Sequence, residues 1–380
     1  MKFFKKLFPP LAAAAVLFSI LPFVQGQAAP KKEMNVIADV FSMAQASYVD
    51  PISDKRLMEG ALNGMMKTLD PYSQFLDEHA YQELKSDTKG EFAGIGLEVS
   101  VKGSVLHVIS PLDDSPAYRA GLKPGDVIQK IDDTVTKDIT LSDAVRRMRG
   151  KAGSVVRLTV LREGEASPLE IPVTRETVKV RGVREAKLLE GGIGYIRISE
   201  FQEQTARDFR AALGSLKRQG MKGLIIDVRN NPGGLLYAAV DVAENFIPEG
   251  ERIVSTKGRL VEKNTSHVSR NKEPWKISPL YLLVNKGSAS GSEILAGALQ
   301  DYGLAVLVGA KTYGKGCIQT LTPLADGSAV RITTSRYYTP QGRLIHEIGV
   351  SPDVVVMNDP KDAKDLQLER ALELAKVSGR

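Results

Sequence analysis

Ser288-Ala289-Ser290-Gly291-Ser292-Glu293, followed 25 residues after Ser290 by Lys315 in Gly314-Lys315-Gly316-Cys317-Ile318-Gln319, carries the most chemical content in this sequence. A hydroxyl and an amine in that arrangement suggest a serine nucleophile served by a lysine base. The chain has four histidines (His79, His107, His267, His346), and none stands in a context that suggests a Ser-His-Asp relay. If this is a hydrolase, something other than histidine must take the proton.

Each part also has a plainer reading. Ser290 follows an apolar strand and precedes the helical run Ile294-Leu295-Ala296-Gly297-Ala298-Leu299, so its hydroxyl lies at a helix N-terminus, where unpaired N–H groups favour negative charge. The same Ser290-Gly291-Ser292-Glu293 is an S-x-x-E capping box, with Ser290 as the cap. Gly291 leaves its N–H open to a substrate oxygen. Lys315 reads either as a solvated loop lysine or as a base. As a base its pKa must fall from about 10.4 toward neutrality, and ~3 units correspond to about 4 kcal/mol, which burial can supply and an exposed loop cannot. Cys317 and Ile318 offer apolar neighbours, and Gln319 could orient the amine without holding it charged. In Asp227-Val228-Arg229-Asn230-Asn231-Pro232-Gly233-Gly234, bare glycine N–H groups at a strand end could form an oxyanion hole with Gly291; alone, the segment is a turn.

The elements that must position these groups follow from periodicity. Strands are expected at Gly194–Ile198, Gly223–Val228, Leu280–Val284, Ala305–Val308 and Ala329–Ser335, with an amphipathic helix over Thr205–Gln219. Strand-helix alternation implies a largely parallel sheet, and catalytic groups in such sheets lie just beyond strand ends. Upstream, residues 90–175 change to short β-type runs with turns, and residues 34–68 read as mostly helical. Those first helices would pack on the main body or on a second copy of the chain.

Residues 90–176 resemble a bacterial PDZ domain, through the Gly94-Ile95-Gly96-Leu97 loop, the turn Ala120-Gly121-Leu122-Lys123-Pro124-Gly125-Asp126 and a helix over Leu141–Arg149. The resemblance implies that N–H groups of Gly94, Ile95, Gly96 and Leu97 receive a terminal carboxylate while the peptide adds beside Leu97–Val101. Its last side chain would face Ile95 and the helix, so an apolar C-terminus is the expected ligand.

Composition narrows the class. Hydrophobic residues at 43% and charged residues at 25% indicate globular protein. Residues 1–26 read as a secretory signal, with Lys2, Lys5 and Lys6 before an apolar run. Cleavage is expected; a retained segment would keep the protein beside a membrane. Without those three lysines the formal charge falls from +6 to +3, and no basic stripe interleaves with aromatics, so nucleic acid is not an expected partner. Cys317 is the single cysteine, which excludes an internal disulfide and a cysteine-built metal site.

Taken in order, the chain resembles the C-terminal processing peptidases, Ser/Lys serine proteases with an inserted PDZ domain. The resemblance rests on Leu69-Asp70-Pro71-Tyr72-Ser73, Gly90-Glu91-Phe92-Ala93-Gly94-Ile95-Gly96, Asn231-Pro232-Gly233-Gly234, Gly287-Ser288-Ala289-Ser290, Gly314-Lys315-Gly316 with Gln319, and Gly349-Val350-Ser351-Pro352-Asp353. It implies an α/β multidomain fold: a signal peptide (1–26), an N-terminal helical region (27–89), the PDZ domain (90–176), and an α/β protease core resembling the ClpP/crotonase-like fold (177–380). It implies Ser290 as nucleophile, Lys315 as base, Gln319 as orienter, and Gly233 and Gly291 as oxyanion donors, with no metal or organic cofactor. The PDZ domain would capture tails and gate the site, with Arg149 relaying the signal. An exported enzyme of the periplasm or cell envelope, or an extracellular one where no outer membrane exists, is expected. Homo-oligomerisation through the N-terminal helices and an activating adaptor stay open. Gly291 stands where the family usually has alanine, and Cys317 where a hydroxyl or aliphatic residue is more common. Two rivals remain: a non-catalytic PDZ adaptor, and a nucleotide site suggested by Gly309-Ala310-Lys311-Thr312-Tyr313-Gly314-Lys315, which lacks the Ser or Thr that should follow.

Overall fold

The computed structural model describes residues 31–102, 104–112, 114–358 and 364–378; the signal segment read at residues 1–26 lies outside them. The chain divides into two units, Met1–Gly64 and Met65–Arg380. In the first, helix α1 (Lys31–Ser47) is followed by α2 (Asp54–Lys67), which crosses the boundary. The helical stretch is interrupted over residues 48–53, where Pro51 disfavours helical backbone at Asp50 and so keeps the two helices apart. Val36, Val40 and Met43 of α1 are exposed. Among the described residues no helix is long and apolar enough to cross a membrane.

The second unit opens with the turn Leu69–Ser73, held by Asp70, whose carboxylate accepts from the N–H groups of Tyr72 and Ser73 at 2.7 Å each. Strand β1 (Gln74–Leu76) follows, then α3 (Glu78–Lys89), capped by Asp77 and closed by Gly90 at φ 73°. Strand β2 (Glu91–Gly94) leads into a five-strand antiparallel array: β3 (Leu97–Lys102), β4 (Val105–Pro111), β5 (Val127–Ile131), β7 (Val155–Leu161) and β8 (Leu169–Thr174), ordered β3-β4-β5-β7-β8, with the short β6 (Thr134–Val135) on β5. Helices α4 (Pro116–Arg119) and α5 (Leu141–Met148) close its core of Ile95, Leu106, Ile128, Ala144, Met148 and Leu158. Strand β9 (Glu176–Lys179) leaves antiparallel to β2, so chain enters and exits this domain side by side. That is the geometry of an insertion.

The remaining chain builds the core: β10 (Val183–Leu189), β11 (Ile193–Ile198), α6 (Thr205–Arg218), β12 (Gly223–Asp227), α7 (Leu236–Ala243), β13 (Arg252–Gly258), β14 (Thr265–Val268), β15 (Leu280–Val284), α8 (Gly291–Asp301), β16 (Val306–Gly309), β17 (Cys317–Pro323), β18 (Ala329–Tyr338), β19 (Val354–Val355) and α9 (Leu366–Ser378). One sheet runs β10-β11-β12-β15-β16-β19, parallel except for β10. Strands β12 and β15 are buried along their whole length, as central parallel strands must be. Alternate residues face opposite layers: Ile196, Ile226 and Leu282 pack with Phe209, Leu213, Val242 and Leu295, while Tyr195, Ile225 and Leu283 pack with Ala371 and Ala375 of α9. Each such large side chain contributes about 1.5–3 kcal/mol. A second sheet, β1-β18-β13-β14 with β17 on β18, brings Gln74 opposite Arg331 and Gln319 opposite Thr333. Through it the Leu69–Ser73 turn reaches the loop that carries Lys315.

Candidate active site

Ser290 lies between β15 and α8 at φ 53°, ψ −111°, a conformation that costs a non-glycine residue about 1–3 kcal/mol and must be enforced by neighbours. The enforcement is visible. Ala289 N–H donates to the Asn231 carbonyl at 2.9 Å, and the Ser292 hydroxyl donates to the same carbonyl at 3.0 Å. Ser288, fully buried, donates from Oγ to the Val228 carbonyl at 2.8 Å. The serine turn is thereby fastened to the turn after β12. A Cβ on Gly233 would stand 2.6 Å from Ser290 Cβ, so only glycine lets the two turns meet.

Glu293 contributes beyond capping. Its side chain is fully buried, and its Oε2 accepts from the N–H groups of both Ser290 and Lys315, each at 2.9 Å. Oε1 accepts from the Thr312 hydroxyl at 2.6 Å and the Gly314 N–H at 2.7 Å. Burial pushes the Glu293 carboxyl above its ordinary value, opposed by these four donors. One carboxylate therefore fixes the serine turn and the lysine loop together. The arrangement also disposes of the phosphate-loop reading, because the N–H groups of Gly314 and Lys315 already end on a carboxylate of their own chain.

Lys315 Nζ stands 5.2 Å from the centre of the Tyr72 ring, and burial lowers the amine's pKa from its ordinary value, with the Arg331 charge acting the same way and Cys317 and Glu293 opposing. Tyr72, desolvated and bonded to Tyr313, is raised to about 12. Among the described residues Nζ makes no hydrogen bond to Ser290 or Gln319. Gln319 instead donates from Nε2 to Cys317 Sγ at 3.2 Å and Thr333 Oγ1 at 3.3 Å. Burial pushes the Cys317 thiol up, so it is held as a thiol. Tyr337, 1% exposed, donates to the Lys315 carbonyl, and the Ser290 side chain lies against its hydroxyl. No histidine ring bonds Ser290 or Lys315 among the described residues. The His346 backbone packs against the lysine loop, where a Cβ on Gly316 would clash with it at 2.2 Å.

Of the two glycines expected as oxyanion donors, Gly291 begins α8, where the first N–H groups have no intrahelical acceptor. A methyl on it would meet Phe201 at 2.9 Å and Ala239 at 3.2 Å, so the packing here favours glycine. Gly233 N–H donates to Asn231 Oδ1 at 2.8 Å, and the buried Asn231 amide donates to the Ile198 carbonyl at 3.0 Å. Beneath this turn, Asp227 accepts from Tyr195 at 2.8 Å and from Arg229, whose guanidinium continues to Asp365 at 2.6 Å. No cluster able to hold a metal occurs among the described residues.

In the inserted domain, β3 is an edge strand, and the carbonyls of Ile95 and Gly96 are taken internally by Ala117 and Leu112 at 2.8 and 2.9 Å. Gly96 takes φ 69°, and Ile95 is 2% exposed beside α5. The free edge of Leu97–Lys102 can add a peptide strand. Arg149 lies elsewhere: it pairs with Glu83 at 3.5 Å and Asp87 at 3.2 Å on α3 and covers the Phe92 ring at 5.1 Å. It therefore marks the junction with α3 and β2, and bonds neither Ser290 nor Lys315 among the described residues. Sequence reasoning missed the roles of Glu293, Tyr72 and Tyr337. Glu293 was visible as the cap partner and Tyr72 within Leu69–Ser73; Tyr337, inside an ordinary strand, gave no signal.

The sequence matches peptidase family S41 over residues 192–356, a PDZ domain over 107–162, and the N-terminal domain of the activating protease CtpB over 21–80. It is 41% identical over 329 residues to the carboxy-terminal-processing protease of Bartonella bacilliformis, covering 86% of this chain and 75% of that one. With the carboxy-terminal processing protease CtpB of Bacillus subtilis it shares 35% over 347 residues, covering 90% and 72%. Among solved structures, a photosystem II D1 C-terminal processing protease superposes with a TM-score of 0.51 at 31% identity, covering 92% of this chain and 97% of the other. A putative S41 protease from Bacteroides fragilis shares the fold, with a TM-score of 0.55 at 18% identity over 90% of this chain and 97% of its own. With a strained serine at a helix start, a desolvated lysine tied to it through Glu293, and a PDZ domain inserted beside them, the chain belongs to peptidase family S41, the serine-type carboxy-terminal processing proteases.

Proposed function

We propose that this peptidase works outside the cytosol, captures polypeptides by an apolar C-terminus, and cleaves them through an acyl-enzyme on Ser290 with Lys315 as general base. The observation that supports it best is the shared Glu293 oxygen, which holds the Ser290 and Lys315 backbones to one point while burial favours the neutral amine. Swinging Nζ from the Tyr72 ring toward Ser290 Oγ, where Gln319 can orient it, sets up proton removal as the hydroxyl attacks the scissile carbonyl. The oxyanion is received at the Gly291 N–H and, once the Asn231 carboxamide releases it, at the Gly233 N–H. The lysine then returns the proton to the leaving amine, and water repeats the sequence on the ester.

The tail would add beside β3, with its carboxylate on the Gly94–Leu97 loop and its last side chain toward Ile95 and α5. The PDZ domain gates the site, with Arg149, at its junction with α3, as the nominated relay. The N-terminal helices pair with a second copy, and an activating adaptor releases the gate. The test is cleavage of an unfolded protein with an apolar tail by the parent chain, Ser290→Ala and Lys315→Ala, with an amidated-tail control. Cutting by the parent alone, reduced by amidation, is expected; cutting by either variant would overturn the mechanism. Fractionation of producing cells, with N-terminal sequencing of the mature chain, tests export.

A further inference from the structure

Arg331 is an arginine without an acid. It lies on β18, two residues from Thr333 and therefore on the same face, about 7 Å along the strand. Thr333 receives the Gln319 amide at 3.3 Å, so this face continues the wall of the lysine pocket. Arg331 is partly buried, its Nε is shielded with no hydrogen-bond partner, and among the described residues its one side-chain hydrogen bond is from Nη2 to Gln74 on β1. No carboxylate lies within ion-pair distance of it among the described residues. Asp70, in the adjoining turn, has its oxygens on Tyr72 and Ser73. Burial alone accounts for the lowering of the guanidinium's pKa, with no anion opposing it.

A desolvated, unpaired cation is costly, and a structural role does not require one, since a neutral side chain would bridge to Gln74 equally well. A guanidinium presents a planar fork that matches a carboxylate. We propose that Arg331 is a substrate subsite that binds a carboxylate of the polypeptide lying beside the lysine pocket. This rests on the active-site reading above. The carboxylate could come from an acidic side chain close to the scissile bond or from a terminal carboxylate reaching past the PDZ domain. The wall formed by Gln319, Thr333 and Arg331 places either one on the Lys315 side of the cut.

The test does not require turnover. Fluorescently labelled peptides are titrated against the full chain carrying Ser290→Ala, with and without Arg331→Gln, and with Arg331→Lys to keep the charge if the glutamine variant folds poorly. One series moves a single Glu, against Gln, through the central positions; another compares free-acid and amidated ends. A peptide with Glu at one position should bind about 10- to 100-fold more tightly than its Gln partner, and Arg331→Gln should erase the difference while leaving the Gln peptide unchanged. If Arg331→Gln instead erases only the free-acid preference, the terminal carboxylate is the ligand. Equal binding of acidic and neutral peptides, or a preference that survives Arg331→Gln, overturns the proposal. Cleavage by the chain with Ser290 intact is scored separately, so loss of the catalytic reading and loss of this subsite give different results.

Discussion

Replacing Glu293 by glutamine changes one oxygen to an amide and leaves the shape intact, which isolates the claim that this carboxylate joins nucleophile and base. Glutamine retains one accepting oxygen. If its amide faces Ser290 and Lys315, two buried N–H groups lose their acceptor. If it faces Thr312 and Gly314, only the Gly314 N–H is orphaned, because the Thr312 hydroxyl can turn, although that hydroxyl also accepts from Val350 N–H at 2.7 Å. The second orientation is cheaper. One orphaned buried N–H costs about 1–3 kcal/mol, and weakening the remaining charge-assisted bonds adds a similar amount. Relief from burying a charge offsets part, leaving a net loss of about 2–4 kcal/mol. At roughly 2–4 °C per kcal/mol for a unit of this size, thermal unfolding should fall by several degrees. Because both loops move, kcat on a tail-bearing peptide should fall at least about tenfold, with a smaller change in KM. Circular dichroism melts and steady-state kinetics read the two effects. A Glu293→Gln chain with unchanged melting and kcat would refute the reasoning.

Activity should rise with pH as Lys315 loses its proton, with the acid limb of the kcat profile below the ordinary lysine value of 10.5; a limb at or above it in a stopped-flow profile would contradict the burial argument. Gly316→Ala should abolish activity and lower the melting temperature, since its methyl would meet the His346 backbone at 2.2 Å, where neither side can yield; a soluble, active variant would show that the loop is not pinned there. Asp365 is held at about 2 by Arg229 and Asn358 against burial, so its stabilising contribution is complete above 3.8 and is lost as pH falls toward 2. Acid melts of Asp365→Asn should therefore lack that part of the acid loss, and unchanged acid behaviour would argue against the Arg229 pair.

The parallel core was readable because its strands are continuous apolar runs: Leu280–Val284 is predicted and found at the same limits, and Thr205–Gln219 appears as Thr205–Arg218. Strands β13 and β14 were not predicted. Arg252–Gly258 and Thr265–Val268 mix charged, hydroxyl and apolar residues; β13 is placed by pairing with a far-off strand, Gly258 opposite Ser335, and β14 by pairing with β13. Helix α9 was likewise missed, although Ala371 and Ala375 seal the far face of the sheet. At the site, Ser290 and Lys315 were legible from local spacing. What spacing cannot show is long-range contact: the Tyr72 ring over Lys315, Tyr337 beneath Ser290, and the Asn231 side chain on the Gly233 N–H. Ser290 caps α8 as its spacing suggested, and its backbone strain is a second feature that local spacing does not reveal.

The central claim is that Ser290 becomes acylated with Lys315 taking its proton. Intact-mass and peptide mass spectrometry after mixing the full chain with an activated ester of an apolar-tailed peptide tests it most directly, on the parent, Lys315→Ala and Ser290→Ala chains. The account predicts one acyl group on the peptide containing Ser290 in the parent, a strongly slowed adduct without Lys315, and none without Ser290. An adduct on another residue, or one that forms at the parent's rate in Lys315→Ala, would contradict it.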